Sequence, residues 1–162
     1  MRKILLLLCA ALAGCASYDG RGLVPGEATE ADVVKVMGKP DQTLERPGGG
    51  KALYFVRQPL GRQAFRVVTG PDGRVKEREQ ILTADNIRRI RPGVTTRDQL
   101  SELLGPPYRM ARAPFKPLVY WEYPWLLVEE KRMLWVGVGD DGVVRDVIEM
   151  HDLESDEPTT PG

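Results

Sequence analysis

Apolar positions recur at helical spacing in two short stretches of the chain. Both stretches have the spacing i, i+3, i+4, with Val33, Val36 and Met37 in the first and Leu100, Leu103 and Leu104 in the second. This spacing places the three side chains on one side of a helix. The pattern therefore predicts two short amphipathic helices, each with a single apolar stripe.

The two predicted helices are bounded by the same kinds of residue. A threonine that can act as N-cap is followed three residues later by a side chain that can complete a capping box, and a glycine and a proline end the helix. Thr29, Asp32, Gly38 and Pro40 in the first copy correspond to Thr96, Gln99, Gly105 and Pro107 in the second. Such a repeat indicates a duplicated supersecondary unit.

Three strand-like runs follow each helix. They cover residues 53–57, 64–69 and 74–81 in the first copy and residues 118–123, 133–138 and 143–150 in the second. The second and third runs are joined by Gly70-Pro71-Asp72-Gly73 and by Gly139-Asp140-Asp141-Gly142, which are typical hairpin turns. We align Leu53-Tyr54-Phe55 with Tyr120-Trp121-Glu122.

A further helical segment is predicted at 83–90, and its counterpart at 18–23 is poorly marked. The predicted fold class is α+β: two tandem helix-helix-three-strand modules, with the helices on one face of an antiparallel sheet and the other face open. The modules span 23–82 and 83–151 and share a core, since one copy alone would be marginally stable. Residues 152–162 are predicted to form a disordered acidic tail.

The first fourteen residues have the pattern of a signal peptide. Arg2 and Lys3 precede an apolar run at 4–11, which is too short to cross a bilayer. The next residues, Leu12-Ala13-Gly14-Cys15, resemble the lipobox of bacterial lipoproteins. The resemblance implies cleavage before Cys15 and acylation of that residue, with 15–22 as a lipidated tether. The absence of aspartate at Ala16 and Ser17 implies the outer membrane.

The remaining composition excludes several classes of protein. Loss of Arg2 and Lys3 leaves 21 basic against 23 acidic residues, without the basic stripe that nucleic acid would require. Cys9 leaves with the signal peptide and Cys15 carries lipid, so the mature chain is expected to have no disulfide. The only histidine, His151, lies at the margin of the acidic tail. We therefore expect no catalysis, no metal, and no cofactor beyond the covalent lipid on Cys15.

The combination of Pro-Gly-x-x-Thr, an amphipathic helix, Gly-x-Pro and an aromatic strand resembles the SmpA/OmlA (BamE-like) family of outer-membrane lipoproteins. It covers about residues 23–151, although that family has one such module where this chain has two. The duplicated unit also resembles the fold of the β-lactamase inhibitor proteins. The first resemblance implies binding of envelope proteins, including β-barrel assembly subunits, and binding of anionic lipid. Both activities are non-catalytic.

Aromatic side chains are the first candidates for partner binding. Alternation places Trp121, Tyr123 and Trp125 on one side of a strand; whether the first two are core or surface is open, and Trp125 is expected to reach solvent beyond Pro124. Arg66 and Trp135 occupy equivalent positions of the two copies and are expected on the open sheet face. Arginine and tryptophan are both enriched at protein interfaces.

A cluster of three arginines, Arg88, Arg89 and Arg91, has two interpretations: a solvated helix face, or a contact with lipid headgroups. Three functions consequently remain. The chain is a lipoprotein that binds or scaffolds envelope proteins, with β-barrel assembly as one setting; an inhibitor-like module that caps a periplasmic enzyme; or a lipoprotein that binds anionic lipid. In each case it is anchored to the outer membrane and faces the periplasm.

Overall fold

A computed structural model describes residues 18–152 and is dominated by β-structure. Of these residues, 16% are helical and 43% are in strands. The elements, in chain order, are α1 (Glu30–Met37), β1 (Gln42–Glu45), β2 (Lys51–Val56), β3 (Ala64–Thr69), β4 (Val75–Gln80), α2 (Ala84–Arg88), α3 (Arg97–Leu104), β5 (Arg109–Arg112), β6 (Leu118–Leu127), β7 (Glu130–Gly139) and β8 (Val144–His151). Strands β1–β4 form sheet 1 and β5–β8 form sheet 2, both antiparallel and in sequential order.

The prediction of two helix-helix-three-strand modules is wrong. Each repeat contains a fourth strand directly after its helix, β1 in the first and β5 in the second. Both strands are four residues long; β1 (Gln-Thr-Leu-Glu) contains one apolar residue and β5 is exposed at all four positions, so neither sequence shows the apolar alternation that predicts a half-buried strand. The helix predicted near 18–23 is absent, because Tyr18–Leu23 forms turns.

The predicted helix boundaries are confirmed. The Thr29 hydroxyl accepts a hydrogen bond from the amide of Asp32, whose carboxylate accepts one from the Thr29 amide. Thr96 and Gln99 form the same capping box on α3. Gly38 follows α1 with φ 84° and ψ −168°, a conformation that is essentially restricted to glycine.

The Pro-Gly motif before each helix pairs with the strand that ends the same sheet. The amide of Gly26 donates to the carbonyl of Val75, and the amide of Val75 donates to Ala28. In the second repeat, Gly93 donates to Val144 in the same way. These bonds attach the start of each helix to the predicted hairpin turn, so the motif and the turn belong to one repeated unit.

Helix α3 packs between the two sheets, so the larger core contains residues from both repeats. Leu100 and Leu104 of α3 are fully buried in it, together with Tyr54 of sheet 1 and Tyr123 of sheet 2. A second core, between α1 and the opposite face of sheet 1, contains Leu23, Val33, Met37, Leu53, Phe55, Phe65, Val67 and Val75. Sheet 1 is therefore covered on both faces, in contrast to the predicted open face.

The predicted alignment of the aromatic strand is displaced by one residue. Leu53 lies opposite Val67 in sheet 1, and Trp121 lies opposite Val136 in sheet 2. Because both valines point into a core, Leu53 and not Tyr54 is the counterpart of Trp121. A shift of one residue moves a side chain to the other face of a sheet, and Tyr54 accordingly faces α3.

Pro124 does not end the aromatic strand. Strand β6 continues for ten residues and pairs with β7 throughout, while its described pairing with β5 stops at Glu122. The Pro124 carbonyl accepts a hydrogen bond from the Gln58 side chain on the side that β5 leaves open. The N–H and C=O of one residue in an antiparallel strand point the same way, so proline removes no bond to β7.

Both ends of the described chain are more ordered than the sequence predicts. Tyr18, within the predicted tether, packs edge-on against Phe65 at a ring-centroid distance of 6.2 Å. Asp152, assigned to the tail, is buried, and its carboxylate accepts a hydrogen bond of 2.5 Å from Arg62. The predicted signal peptide, Cys15 and residues 153–162 lie outside the described residues.

Candidate binding surfaces

The outward face of sheet 2 is the sheet face that no described element covers. Trp135 lies near its centre, with Glu122 beside it on β6 and Ile148 beside it on β8. The side chains enclose a groove of about 340 Å³, lined by Ala111, Arg112, Ala113, Pro114, Tyr120, Glu122, Trp135 and Ile148. We call this surface the Trp135 groove. It confirms the expected position of Trp135 on an open sheet face.

An ion pair forms one side of the Trp135 groove. Glu122 is buried, and its carboxylate accepts a hydrogen bond of 2.8 Å from Nε of Arg109 and forms an ion pair at 2.8 Å with Nη2 of the same guanidinium. Arg109 belongs to the edge strand β5 and faces Glu122 directly across the ladder. The pairing satisfies the buried carboxylate, so this part of the groove can contact an apolar group without a further polar partner.

A second polar cluster forms one end of the Trp135 groove. The Tyr120 hydroxyl donates to Asp146 at 2.6 Å, and Lys116 contacts the same carboxylate oxygen at 2.9 Å. The hydrogen bond from Tyr120 lowers the pKa of Asp146, and the same bond raises the pKa of Tyr120. Gly137 lies beneath the pair, where a Cβ atom would be 3.0 Å from the Tyr120 ring. The glycine thus allows the ring to lie across the sheet.

The other three aromatic candidates are core residues. Trp121, Tyr123 and Trp125 all point toward α3, and Trp125, which was expected to reach solvent, is only 1% exposed. The Tyr123 hydroxyl donates to the carbonyl of Gly105 at 3.2 Å, and burial raises the pKa of that phenol well above its usual value. These side chains stabilise the fold and offer no surface to a partner.

Arg66 is equivalent to Trp135 in register but does not lie on an open face. Its guanidinium donates to the Glu102 carbonyl of α3 at 3.1 Å and pairs with the Glu79 carboxylate. The prediction of an exposed Arg66–Trp135 pair is therefore wrong, because α3 covers this side of sheet 1. The repeat places equivalent residues correctly within each sheet, but only one of the two sheets has a helix on that face.

The predicted arginine cluster lines a second cavity, together with Arg66. This cleft of about 670 Å³ lies between sheet 1, α2 and α3, and its lining includes Arg66, Arg88, Arg89, Arg91, Glu79 and Glu102. We call it the arginine cleft. Four guanidinium groups outnumber two carboxylates in its lining, although Arg88 pairs with Asp85 and Arg89 donates to Asn86. The excess of positive charge favours an anion.

Several residues of the Trp135 groove were not identified from the sequence. Ile148 and Tyr120 lie one strand away from Trp135 on each side, and their contribution depends on register. The alternation of β8 does place Ile148 on the face opposite that of the partly buried Val147, which was a usable signal. The Arg109–Glu122 pair had no signal, since β5 was not predicted.

Within residues 18–152, no group of three or more His, Cys, Asp or Glu side chains is arranged to hold a metal ion. The Asp141 carboxylate, in the turn between β7 and β8, accepts hydrogen bonds from the Val143 amide and from Arg145. None of the helices in this part of the chain is long and apolar enough to cross a membrane.

Comparison with known proteins assigns no family to this chain. No family model matches it, and no curated protein matches it. A DUF4309 family protein (YjgB) from Bacillus subtilis, known from its crystal structure, is similar at 19% sequence identity and a TM-score of 0.31. The similarity covers 81% of this chain and 82% of the other. At this TM-score it supports no argument about fold or function, and the resemblance to the SmpA/OmlA family stays a prediction.

Proposed function

We propose that this chain is a non-catalytic lipoprotein, anchored through Cys15 to the periplasmic side of the outer membrane, that binds another envelope protein through the Trp135 groove. The observation that carries the proposal is the uncovered face of sheet 2. Helices cover both faces of sheet 1 and the inner face of sheet 2, whereas the outward face presents a partly exposed tryptophan beside Ile148. Tryptophan is the residue that most often dominates the free energy of a protein interface.

The chemistry of the groove defines the partner's contact. Glu122 is paired with Arg109 and Asp146 with Lys116, and the guanidinium of Arg112 lies 3.8 Å from the carboxylate of Asp140. The rest of the lining is aromatic and aliphatic. A partner fits by placing one aliphatic or aromatic side chain against Trp135 and Ile148, which are neighbours across the β7–β8 ladder. The short edge strand β5, next to the groove, exposes all four of its residues. A partner segment can therefore lie along β5 while its side chain fills the groove.

Site-specific photocrosslinking in living cells tests this proposal. A photoreactive amino acid at Ala111, which lines the groove, should give a crosslinked product with one envelope protein. Trp135→Ala and Ile148→Asp should each reduce the yield at least fivefold. Val34→Asp is the matched control, since Val34 is 43% exposed on α1 and Ile148 is 37% exposed. Circular dichroism of each purified variant establishes that it is folded.

The identity of the crosslinked protein distinguishes the functional alternatives. Subunits of the β-barrel assembly machinery support a scaffold in that pathway, and one soluble periplasmic enzyme supports the inhibitor-like alternative. A yield that Trp135→Ala and Ile148→Asp leave unchanged would contradict binding through the groove.

The arginine cleft favours a second function, binding of an anionic group. The specific observation is that Arg66, Arg88, Arg89 and Arg91 line one cavity. Flotation of a Cys15→Ser chain with vesicles tests it, because without lipid the chain must bind by its surface. We expect flotation with phosphatidylglycerol vesicles that Arg89→Glu and Arg91→Glu together abolish, and none with phosphatidylcholine. A Lys35→Glu and Lys39→Glu double variant, on and after α1, provides the charge-matched control.

A further inference from the structure

The segment between the predicted lipid attachment and the ordered domain is very short. Cys15 and Tyr18 are three residues apart, and three residues of fully extended chain span at most about 11 Å. Because Tyr18 is already packed against Phe65, the domain cannot move away from the membrane on a long tether. The surface around Tyr18 must lie close to the lipid headgroups when Cys15 carries lipid.

The surface around Tyr18 is the base of the loop that joins β2 to β3. The Arg57 guanidinium donates to the Tyr18 carbonyl at 3.0 Å and to the Met37 carbonyl at 2.7 Å. The Tyr18 hydroxyl donates to the Gln63 side chain at 2.7 Å. Arg57 and Gln63 are themselves joined by a backbone hydrogen bond of 2.8 Å, which closes the loop. The first ordered residue therefore contacts both ends of this loop.

The tip of the same loop carries an exposed leucine. Leu60 is 96% exposed and lies three residues from Arg57 and from Gln63. The loop is fixed beneath it, because Arg62 pairs with the buried Asp152 and Gln58 donates to Pro124. A leucine held in water at the tip of a fixed loop is unfavourable, whereas a bilayer interface would bury it.

We propose that Leu60 inserts into the membrane interface beside the lipid anchor and so fixes the orientation of the domain on the membrane. The inference rests on the lipid anchor of the proposed function and goes beyond it by naming the surface that faces the bilayer. Two attachments, the acylated Cys15 and Leu60, restrict rotation that a single tether would allow. Since the Leu60 loop also contacts β6 and β7, it orients sheet 2 as well as sheet 1.

Depth-dependent fluorescence quenching on the lipidated chain tests this inference. The mature protein has no cysteine other than the acylated Cys15, so one introduced thiol can be labelled with an environment-sensitive dye. The labelled sites are Leu60→Cys and Phe115→Cys. Both native side chains are 96% exposed. The Leu60 loop contacts β6 at Pro124, whereas Phe115 lies before the start of β6, and the strand between Leu118 and Pro124 is about 20 Å long. The protein is reconstituted into phosphatidylcholine vesicles that contain a spin-labelled lipid.

We expect at least twofold stronger quenching at position 60 than at position 115. A label at Pro59→Cys should also be quenched. Adding Leu60→Asp to that labelled variant should remove the quenching. This result would show that the leucine, and not the dye, inserts the loop into the membrane. Equal quenching at 60 and 115, with lipid on Cys15 established by mass spectrometry, would overturn the membrane-facing loop and leave the anchor intact. A chain without lipid on Cys15 would overturn both the anchor and this inference.

Discussion

Gly50 occupies the tightest backbone position in the turn between β1 and β2. Three successive glycines have positive φ angles there, and Gly50 has φ 82°. A Cβ atom at Gly50 would overlap the carbonyl of Thr69 on the neighbouring β3 strand, whereas a Cβ at Gly48 would meet no atom within 4 Å. The glycine run is a closed hairpin turn in which Gly50 makes the closest approach to the backbone of β3.

Alanine substitution at the two glycines should therefore give different losses of stability. We expect Gly48→Ala to lower the free energy of unfolding by about 1 kcal/mol, from the positive φ alone. Gly50→Ala should lower it by about 3 kcal/mol or more, because the backbone of β3 must also move. Urea unfolding followed by circular dichroism measures both. Equal losses for the two variants would show that β3 does not approach this turn.

The carboxyl group of Asp146 gives a residue-scale prediction of pH dependence. Hydrogen bonds from Tyr120 and Lys116 hold its pKa below the ordinary 3.8. An acid whose pKa is lowered by folding adds stability above its unfolded pKa, and this stability is lost as pH falls through the folded pKa. We expect Tyr120→Phe to raise the pKa of Asp146, and carboxyl ¹³C NMR titration measures this shift. Val143→Ala, outside the cluster, should leave that pKa unchanged.

The β6–β7 hairpin separates structural from binding aromatic residues by face. Trp125 on β6 points into the core and is 1% exposed, while Trp135 on β7 points outward beside Glu122. We expect Trp125→Ala to lower the free energy of unfolding by about 3–5 kcal/mol, as a large core truncation does. Trp135→Ala should lower it by less than about 1 kcal/mol. Thermal unfolding of both variants checks this, and a loss at Trp135 equal to that at Trp125 would assign Trp135 to the core.

Elements with strong local signals were predictable, and those that depend on pairing were not. The capping boxes at Thr29 and Thr96 and the two Gly-to-Gly hairpin turns are local chemistry, and the structure confirms them. Strands β1 and β5 have no local signal, because a four-residue edge strand is defined by the partner that it pairs with. The one-residue displacement of β6 has the same origin, since register is set by cross-strand contacts that the sequence does not display.

The candidate site shows the same division between what local sequence predicts and what depends on packing. Trp135 was placed correctly because β7 alternates regularly between Leu134 and Val136, both buried. Arg66 was misplaced, although its register equivalence to Trp135 is correct, because the packing of α3 against sheet 1 joins one repeat to the other. Contacts between repeats are not encoded in the internal alignment of a repeat with itself. A duplicated sequence therefore predicts each sheet better than the arrangement of the two.

At the scale of the whole molecule, the position of α3 makes the two repeats one folding unit. The C-terminal end of α3 touches both sheets: Gly105 lies against Tyr54 of sheet 1, and its carbonyl accepts a hydrogen bond from Tyr123 of sheet 2. Leu100 and Leu104 are buried in a core that contains residues of both sheets. If one sheet moves away from this core, apolar surface of the other sheet becomes exposed. Two sheets that share a core in this way should unfold in a single cooperative transition.

Tryptophan fluorescence can test this coupling because all three tryptophans belong to sheet 2. Val33 of α1 is fully buried in the core that only the first repeat forms. We expect Val33→Ala to lower the free energy of unfolding by about 2 kcal/mol and to shift the fluorescence and circular dichroism midpoints in urea by the same amount. The neighbouring Val34→Ala, on the exposed side of α1, should shift neither midpoint. A fluorescence midpoint that Val33→Ala leaves unchanged would mean that sheet 2 unfolds independently, and α3 would then belong to the second repeat alone.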